Sequence, residues 1–320
     1  MEASMTVEIP RINYNGAIRS IILGDGEATV TTGGQSSYPF YLFEGDMPNL
    51  PRIAMEVYDE CPTDWPDTAA APFRDVWNNP AAWAARCVND FGAEMICLQL
   101  QGTDPNGSDR SATEAVATVK AVCEAVRVPL IVWGTSNLDK DTEVLRAVAE
   151  SVADRRLCLG PVEEGNYKKI GAVAMAYNHV VIASSPIDIN LAKQLNILMS
   201  NLGVREQDIL MDPTVSSIGY GIEYAYSVME RIRMAALTQQ DEKLQYPLIC
   251  NIARETWKTK EARALQAEDP AMGDDALRGI TLEAMSASLL VMAGADVLIM
   301  RHPEAVKEVG ELIRALSQTA

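Results

Sequence analysis

Histidine is nearly absent from this 320-residue chain, which carries only His179 and His302. A site built on several imidazoles, whether a zinc centre or a cysteine–histidine nucleophile, has almost nothing to draw on. The six cysteines are Cys61, Cys87, Cys97, Cys123, Cys158 and Cys250, and no two fall within four residues of each other. That spacing excludes CxxC zinc knuckles and the runs that hold iron–sulfur clusters. Free thiols without a disulfide framework fit a reducing cytoplasm. Positive charge is also scarce: 27 Lys and Arg face 44 Asp and Glu, a net charge of −17. Such a surface repels phosphate backbones and anionic lipid, so no nucleic-acid or membrane partner is expected. The most apolar stretch, 286–300, is broken by Gly294 and Asp296 and is too short to span a bilayer. Residues 1–16 have no apolar core of the secretory type. Phosphate loops of the GxGxxG or GxxxxGK[ST] kind are missing, as is the Asp-x-His-x-x-Gly pattern by which a histidine replaces the lower base of cobalamin.

What is present is a hydrophobic content of 48%, enough for a large core, in a regular rhythm. Two β-rich runs, 18–23 and 28–32, flank Gly24-Asp25-Gly26-Glu27 and predict a hairpin. Eight short apolar runs follow: 51–57, 94–100, 128–133, 156–159, 179–183, 208–211, 246–250 and 295–300. Most are apolar on both faces, the mark of strands covered on both sides in a parallel sheet.

Helical stripes separate them, among them Val116/Val119/Cys123/Val126, Leu145/Val148/Val152 and Ile187/Leu191/Leu195/Leu198/Leu202. Leu282/Met285/Leu289/Met292 and Val306/Val309/Ile313/Leu316 are two more. Ser111 with Glu114 spells a capping box. Asn79-Pro80, Ser185-Pro186 and His302-Pro303 set proline at a first helical position. Eight strand–helix units predict an α/β fold, a (β/α)8 TIM barrel over residues 51–320, after an N-terminal extension and β-hairpin over 1–50. A doubly wound open sheet is the runner-up.

Two connections leaving strand C-termini are long: 59–79, rich in Pro and Trp, and 251–280, with an extra helix expected around 254–265. Long loops on that face carry function more often than decoration. The residues beyond the strands form a rim of amides, hydroxyls and carboxylates, including Asp59, Asn137, Glu163, Ser184, Asp212, Thr214, Asn251 and Arg301. Such a rim suits a neutral or amide-bearing ligand better than a phosphate. Ser111, Asn166 and Ser185 have a plain reading as helix N-caps, His302 as a cap and His179 as a structural residue. Gly219-Tyr220-Gly221 allows a ligand to approach the backbone closely.

Several stretches, in order along nearly the whole chain, resemble the small (delta) subunit of the corrinoid iron–sulfur protein of the acetyl-CoA decarbonylase/synthase system. They include Pro39-Phe40-Tyr41-Leu42-Phe43-Glu44-Gly45, Ile53-Ala54-Met55-Glu56-Val57, Asp64-Trp65-Pro66-Asp67 and Ser185-Pro186-Ile187-Asp188-Ile189-Asn190. Asp212-Pro213 leading to Gly219-Tyr220-Gly221-Ile222-Glu223-Tyr224, and Met300-Arg301-His302-Pro303-Glu304-Ala305, complete the pattern. Ser216-Ser217 departs from it, standing where the family often has glycine.

The resemblance implies a barrel related to methyltetrahydrofolate-methyltransferase barrels. It implies a partner, the large (gamma) subunit, that carries the [4Fe–4S] cluster, with a corrinoid (cobamide) enclosed at the interface and no cluster on this chain. A methyltetrahydropterin methyltransferase and acetyl-CoA synthase would be further partners in methyl transfer. On that reading the chain is a non-catalytic subunit, and the expected corrin contacts are Asn137, Asn190, Thr214, Gly219, Tyr220 and Gly221. The alternative is a pterin-binding methyltransferase of the same superfamily, drawing on Asp59, Asn137, Asp212 and Asn251. A barrel with a purely scaffolding role is a third possibility.

Overall fold

The computed structural model describes residues 10–26 and 28–318. The hairpin forms as β1 (Ser20–Asp25) and β2 (Ala28–Gly33), antiparallel, with Ser20 opposite Gly33. Glu27 of the expected turn lies outside the described residues. The chain then runs β3 (Arg52–Tyr58), α1 (Asp67–Ala70), α2 (Pro80–Asn89), β4 (Met95–Gln99), α3 (Ala112–Ala125), β5 (Leu130–Trp133) and α4 (Leu138–Ser151). It continues β6 (Cys158–Val162), α5 (Tyr167–Ala176), β7 (Val180–Ser184), α6 (Ile189–Leu202), β8 (Ile209–Asp212) and α7 (Ile222–Thr238). Next come β9 (Leu248–Asn251), α8 (Ile252–Thr256), α9 (Lys260–Arg263), α10 (Asp275–Met292), β10 (Ala295–Met300) and α11 (Pro303–Ser317). Strands β3 to β10 form a closed barrel, β10 pairing in parallel with both β9 and β3. All eight expected strands are present, and the open-sheet runner-up is excluded by that closure.

The period of two along each strand sorts residues between two cores. Ala54, Cys97, Ile131, Cys158, Ile182, Leu210, Ile249 and Val297 point into the barrel. Their neighbours Met55, Leu98, Val132, Leu159, Ala183, Met211, Cys250 and Leu298 face the surrounding helices. The inner cluster also contains Ile21 and Leu23 of β1, so the hairpin lies across the N-terminal end of the barrel and plugs it. Asp25 fastens that plug: its Oδ2 accepts from Arg155 Nε at 3.2 Å and from the Arg156 backbone N–H at 2.7 Å.

Helix starts follow the local chemistry. Ser111 and Glu114 make the reciprocal capping box, and Asn79 accepts from Ala82 N–H ahead of Pro80. His302 Nδ1 accepts from Glu304 N–H at 3.3 Å, a cap ahead of Pro303. His179 is buried, with Nδ1 accepting from Leu157 N–H and Nε2 against Ala149 O, so both ring nitrogens serve the fold.

Four expectations are corrected. Ser185-Pro186 does not open a helix; α6 starts at Ile189, where Asp188 accepts from two backbone N–H groups and so caps better than serine. Asn166 occupies the N-cap position of α5, but its Oδ1 accepts from Glu163 N–H behind it. The extra helix expected over 254–265 is divided into α8 and α9, because Thr259 breaks the run to cap α9 through Ala262 N–H. On α10 the buried face is Gly279, Ile280, Glu283, Ala284, Ala287, Leu290 and Val291, whereas Met285 and Met292 are exposed. Small residues let that helix sit close to its neighbours: a Cβ on Gly279 would overlap the Trp257 ring at 2.4 Å.

The floor of the barrel is locked by a buried ion pair between Arg233 of α7 and Asp296 of β10. Asp296 also accepts from Leu248 N–H at 2.7 Å and from the Gln35 side chain beyond the hairpin. Arg233 donates to the carbonyls of Gly294 and Tyr246. Removing one member strands the other charge in a dry interior. Asp296→Ala is expected to destabilise the chain by roughly 3–5 kcal/mol in urea unfolding. A loss below about 1 kcal/mol would show that the floor does not depend on this pair.

Candidate functional site

The last inward position of each strand sits above the apolar barrel interior, and here the sequence turns polar. Glu56, Gln99, Trp133, Ser184, Asp212 and Asn251 each lie two residues beyond an inner apolar residue and share its face. All six are buried. They divide into two neighbourhoods at the mouth.

The larger is a cavity of about 390 Å³, walled by Trp133, Pro161, Pro186 and Val215 and given polarity by Ser184, Ser185, Asp212, Asn251 and Arg254. Asp212 and Ser184 are paired across the β7–β8 ladder. Thr214, held at φ 53° just past the strand, donates its N–H to Asp212 Oδ1 at 2.9 Å. Burial pushes the Asp212 carboxyl up to about 7. The adjacent Ser184 hydroxyl and the Thr214 N–H offset part of that rise, while the charges of Glu163 and Glu255 add to it. Ser184 Oγ nevertheless lacks standard hydrogen-bond geometry with any group. Asn251 ends β9 with both amide atoms buried and unpartnered, and Ser185 Oγ is in the same condition. Each orphaned group costs about 1–3 kcal/mol if left dry. Arg254, from the first turn of α8, makes no ion pair among the described residues.

The smaller neighbourhood, about 120 Å³, shares Arg254 with the first. Its base is Arg301, just past β10, which pairs with Glu56 and donates from Nη2 to Tyr58 Oη at 3.2 Å. The guanidinium lies 3.6 Å from the Trp65 ring centre. Glu283 of α10 accepts from the backbone N–H groups of Arg301 (2.5 Å) and His302 (3.0 Å), and from Trp257 Nε1 (2.9 Å). Burial still pushes its carboxyl up to about 7, against those donors. The 59–79 connection therefore closes over Arg301 through Trp65, which also meets Tyr58 and Trp83 edge-on.

The expected site residues scatter. Thr214 borders the cavity, beside Ser216. Gly219, Tyr220 and Gly221 stand on a ridge at its rim, turned by Tyr220 N–H and Gly221 N–H donating to Ser217 O. Tyr220 is 93% exposed. Asn137 is outside the cavity lining and spends its side chain capping α4 through Lys140 N–H. Asn190 is exposed in the first turn of α6. Of the four residues named for the pterin alternative, Asp212 and Asn251 line one cavity. Asp59 instead accepts from Gly102 N–H at 2.8 Å and faces Arg110 at 3.5 Å.

Sequence reasoning missed Glu56 and Glu283, one within a strand and one within a helix, where carboxylates give no local signal. Of the cations it named only Arg301 on the rim, whereas Arg254, Lys258 and Arg301 gather on one side of the mouth. The distance in sequence between 254 and 301 hid that grouping. No cluster of three or more His, Cys, Asp or Glu side chains suited to a metal occurs among the described residues, nor does a helix long and apolar enough to cross a membrane.

Comparison with known proteins agrees with this architecture. A family model described as CO dehydrogenase/acetyl-CoA synthase delta subunit matches residues 20–315. The acetyl-CoA decarbonylase/synthase complex subunit delta of Archaeoglobus fulgidus is 38% identical over 315 residues, covering 95% of this chain and 69% of the relative. That of Methanothermobacter thermautotrophicus is 33% identical over 316 residues, covering 97% and 79%. Among solved structures, a Xanthomonas albilineans dihydropteroate synthase with 4-aminobenzoic acid superposes with a TM-score of 0.60 at 11% identity, covering 94% of this chain and all of that one. A Coxiella burnetii dihydropteroate synthase with pteroic acid gives 0.57 at 12%, covering 87% and 97%. At that identity the likeness is one of fold.

The buried Asp212 makes stability depend on pH. Its carboxyl titrates near 7 in the folded chain and near 3.8 unfolded, so the folded state holds the extra proton between those values. Stability therefore rises as pH falls from above 7 toward 4. Asp212→Asn is expected to be more stable than the parent by on the order of 2 kcal/mol at pH 8, with the difference gone near pH 4. Denaturation at the two pH values checks this, and equal effects at both would overturn it.

Proposed function

The chain belongs to the CO dehydrogenase/acetyl-CoA synthase delta-subunit family, and we propose that within that complex it is the small subunit of a heterodimeric corrinoid iron–sulfur protein. The observation that carries the reading is the match over residues 20–315, nearly the whole barrel, to proteins named as delta subunits. On this reading the large subunit holds the corrinoid and the cluster, and the mouth of this barrel forms one wall of the corrin site. The corrinoid cobalt supplies the methyl-carrying chemistry, from a methyltetrahydropterin and its methyltransferase to acetyl-CoA synthase.

The donor set on the rim suits such a wall. Corrin side chains end largely in amides, which backbone and hydroxyl groups can hydrogen-bond. The 216–221 ridge offers exposed backbone and the Tyr220 ring beside the mouth. Neither histidine projects there as a competing ligand, since His302 is buried as a cap and His179 is held at the other end of its strand. Thr214, Gly219, Tyr220 and Gly221 are the contacts the geometry favours. Asn137 and Asn190 are weaker candidates, one committed to a cap and the other set apart from the cavity. The exposed stripe of Leu277, Met285 and Met292 on α10 is apolar surface of the kind a partner subunit covers.

Anaerobic co-expression with the large subunit, followed by size exclusion with visible absorbance, tests the reading. The parent is expected to elute as a heterodimer with a corrin spectrum. Tyr220→Ala and Gly221→Val should keep the heterodimer but retain less than about half the corrin, a loss of a few contacts worth about 1 kcal/mol. Unchanged corrin in both variants would remove the ridge from the corrin site, and a chain that never joins the large subunit would overturn the reading itself.

A further inference from the structure

The ring of outer helices is open at one seam. Each helix packs on the next around the barrel except α11 and α2, which rest on β3 from either side without closing over it. The seam leaves a furrow of about 400 Å³ on the flank of the barrel, away from the mouth. Its floor is apolar: Leu50 and Ile53 come from the start of β3, Phe91 from beyond α2, and Val306 and Ile313 from α11. Gly310 stands on the same face of α11, one turn from both Val306 and Ile313. A glycine inside a helix lowers its stability. Close packing does not require this one, because a Cβ there would meet only the Arg314 guanidinium, at 3.7 Å.

Positive charge gathers here on a chain that is strongly acidic elsewhere. Arg52, Lys307 and Arg314 line the furrow, and Glu94 is the one carboxylate among its lining residues. Glu94 is already engaged, by Arg52 Nη1 at 3.0 Å. Arg52 Nε is buried without an acceptor, and Lys307 and Arg314 form no ion pair among the described residues. Arg314 is folded back over Gly310, so its guanidinium overhangs the apolar floor. Guanidinium N–H groups of this kind are satisfied best by an anionic oxygen. Both arginines lie at the same end of the furrow, since β3 begins and α11 ends at the N-terminal side of the barrel.

The dimensions choose among occupants. From Pro303 to Arg314 α11 rises about 16 Å, so a furrow of 400 Å³ along it has a mean cross-section of roughly 25 Å². A helix, about 10 Å across, is too wide to enter. A single unbranched hydrocarbon chain fits. We propose that this furrow binds an unbranched aliphatic chain that ends in a carboxylate. The carboxylate sits between Arg314 and Arg52, and the chain runs along Ile53 and Val306 toward Pro303. Burial of its methylene groups drives the binding, and the two guanidinium groups fix its direction. Gly310 then has a reason, since any larger side chain there would block the path of the hydrocarbon. The site uses none of the residues at the mouth and stands whether or not the 216–221 ridge touches a corrin.

Titration calorimetry of the full chain with decanoate tests the proposal, with 1-decanol as the neutral comparison. Decanoate is expected to bind with a Kd below about 100 μM, and decanol about tenfold more weakly. Arg52→Ala and Arg314→Ala are each expected to weaken decanoate by about tenfold. Gly310→Leu should abolish binding while raising resistance to urea, because leucine is the better helix former and its Cβ has room. Lost binding in that variant therefore cannot come from unfolding. Lys120→Ala, exposed on α3, should leave binding unchanged. The Gly310→Leu chain should still form the corrin-bearing heterodimer, which separates this site from the corrin reading. No binding of decanoate at millimolar concentration, equal binding of decanol, or binding that survives Gly310→Leu would overturn the proposal. So would capture by phosphatidylglycerol vesicles without binding of free decanoate, which would give the furrow to a membrane surface. Loss of the heterodimer in Gly310→Leu would give it to the partner subunit and overturn the proposal equally.

Discussion

The buried pair of Arg233 and Asp296 is the constraint from which the rest of the molecule follows. Asp296 opens the last strand, and its carboxylate holds the start of β9, the segment behind the hairpin and a helix from the outer ring at once. An ion pair in that position is costly to form and costlier to halve. Its value lies in joining to Asp296 elements that are 48, 63 and 261 residues away in sequence, as one floor. With the floor closed and the hairpin's Ile21 and Leu23 set beneath it, the lower half of the barrel is dry and fully packed.

A dry lower half sets the conditions at the top. The upper inward residues stand between an apolar core and the opening, where a carboxylate receives little help from solvent. Asp212 and Glu283 both respond by holding their protons more tightly, each to about 7, but their situations differ. Glu283 has three donors and ties α10 to the ends of β10 and α8, so its role is to position Arg301 and His302. Asp212 has one backbone donor and looks into open space. Two buried carboxylates of one barrel thus divide into a brace and a group that faces the cavity, and the count of partners separates them.

The same economy appears on the outer surface. On α10 the inward face combines small residues and the bracing glutamate with Ile280, Leu290 and Val291, while Leu277, Met285 and Met292 lie outward. Of the stripe of large apolar residues visible in the sequence, Met285 and Met292 are exposed while Leu282 packs against the core. A subunit of a larger complex can keep such a face, since association removes it from water.

The sequence alone determined the barrel. Eight apolar runs of strand length, helices between them and an early Asp-Gly turn all carry local signals, because strand periodicity, capping and turn chemistry act over a few residues. The ordered resemblance along the chain also pointed to the family without any coordinates. Only the tertiary structure decided which rim residues share a cavity. Asp59, Asn137, Asp212 and Asn251 look equivalent as polar residues after strands, yet two are engaged by loop and helix N–H groups and two face one cavity, Asn251 unpartnered and Asp212 held by the Thr214 N–H. Arg254 and Arg301 meet at the mouth although 47 positions separate them by number, and Glu56 and Glu283 became visible only through what they hold. The reason is physical: caps and turns are settled by neighbours in sequence, whereas burial and the partners of a charge are settled by whichever strands closure brings alongside.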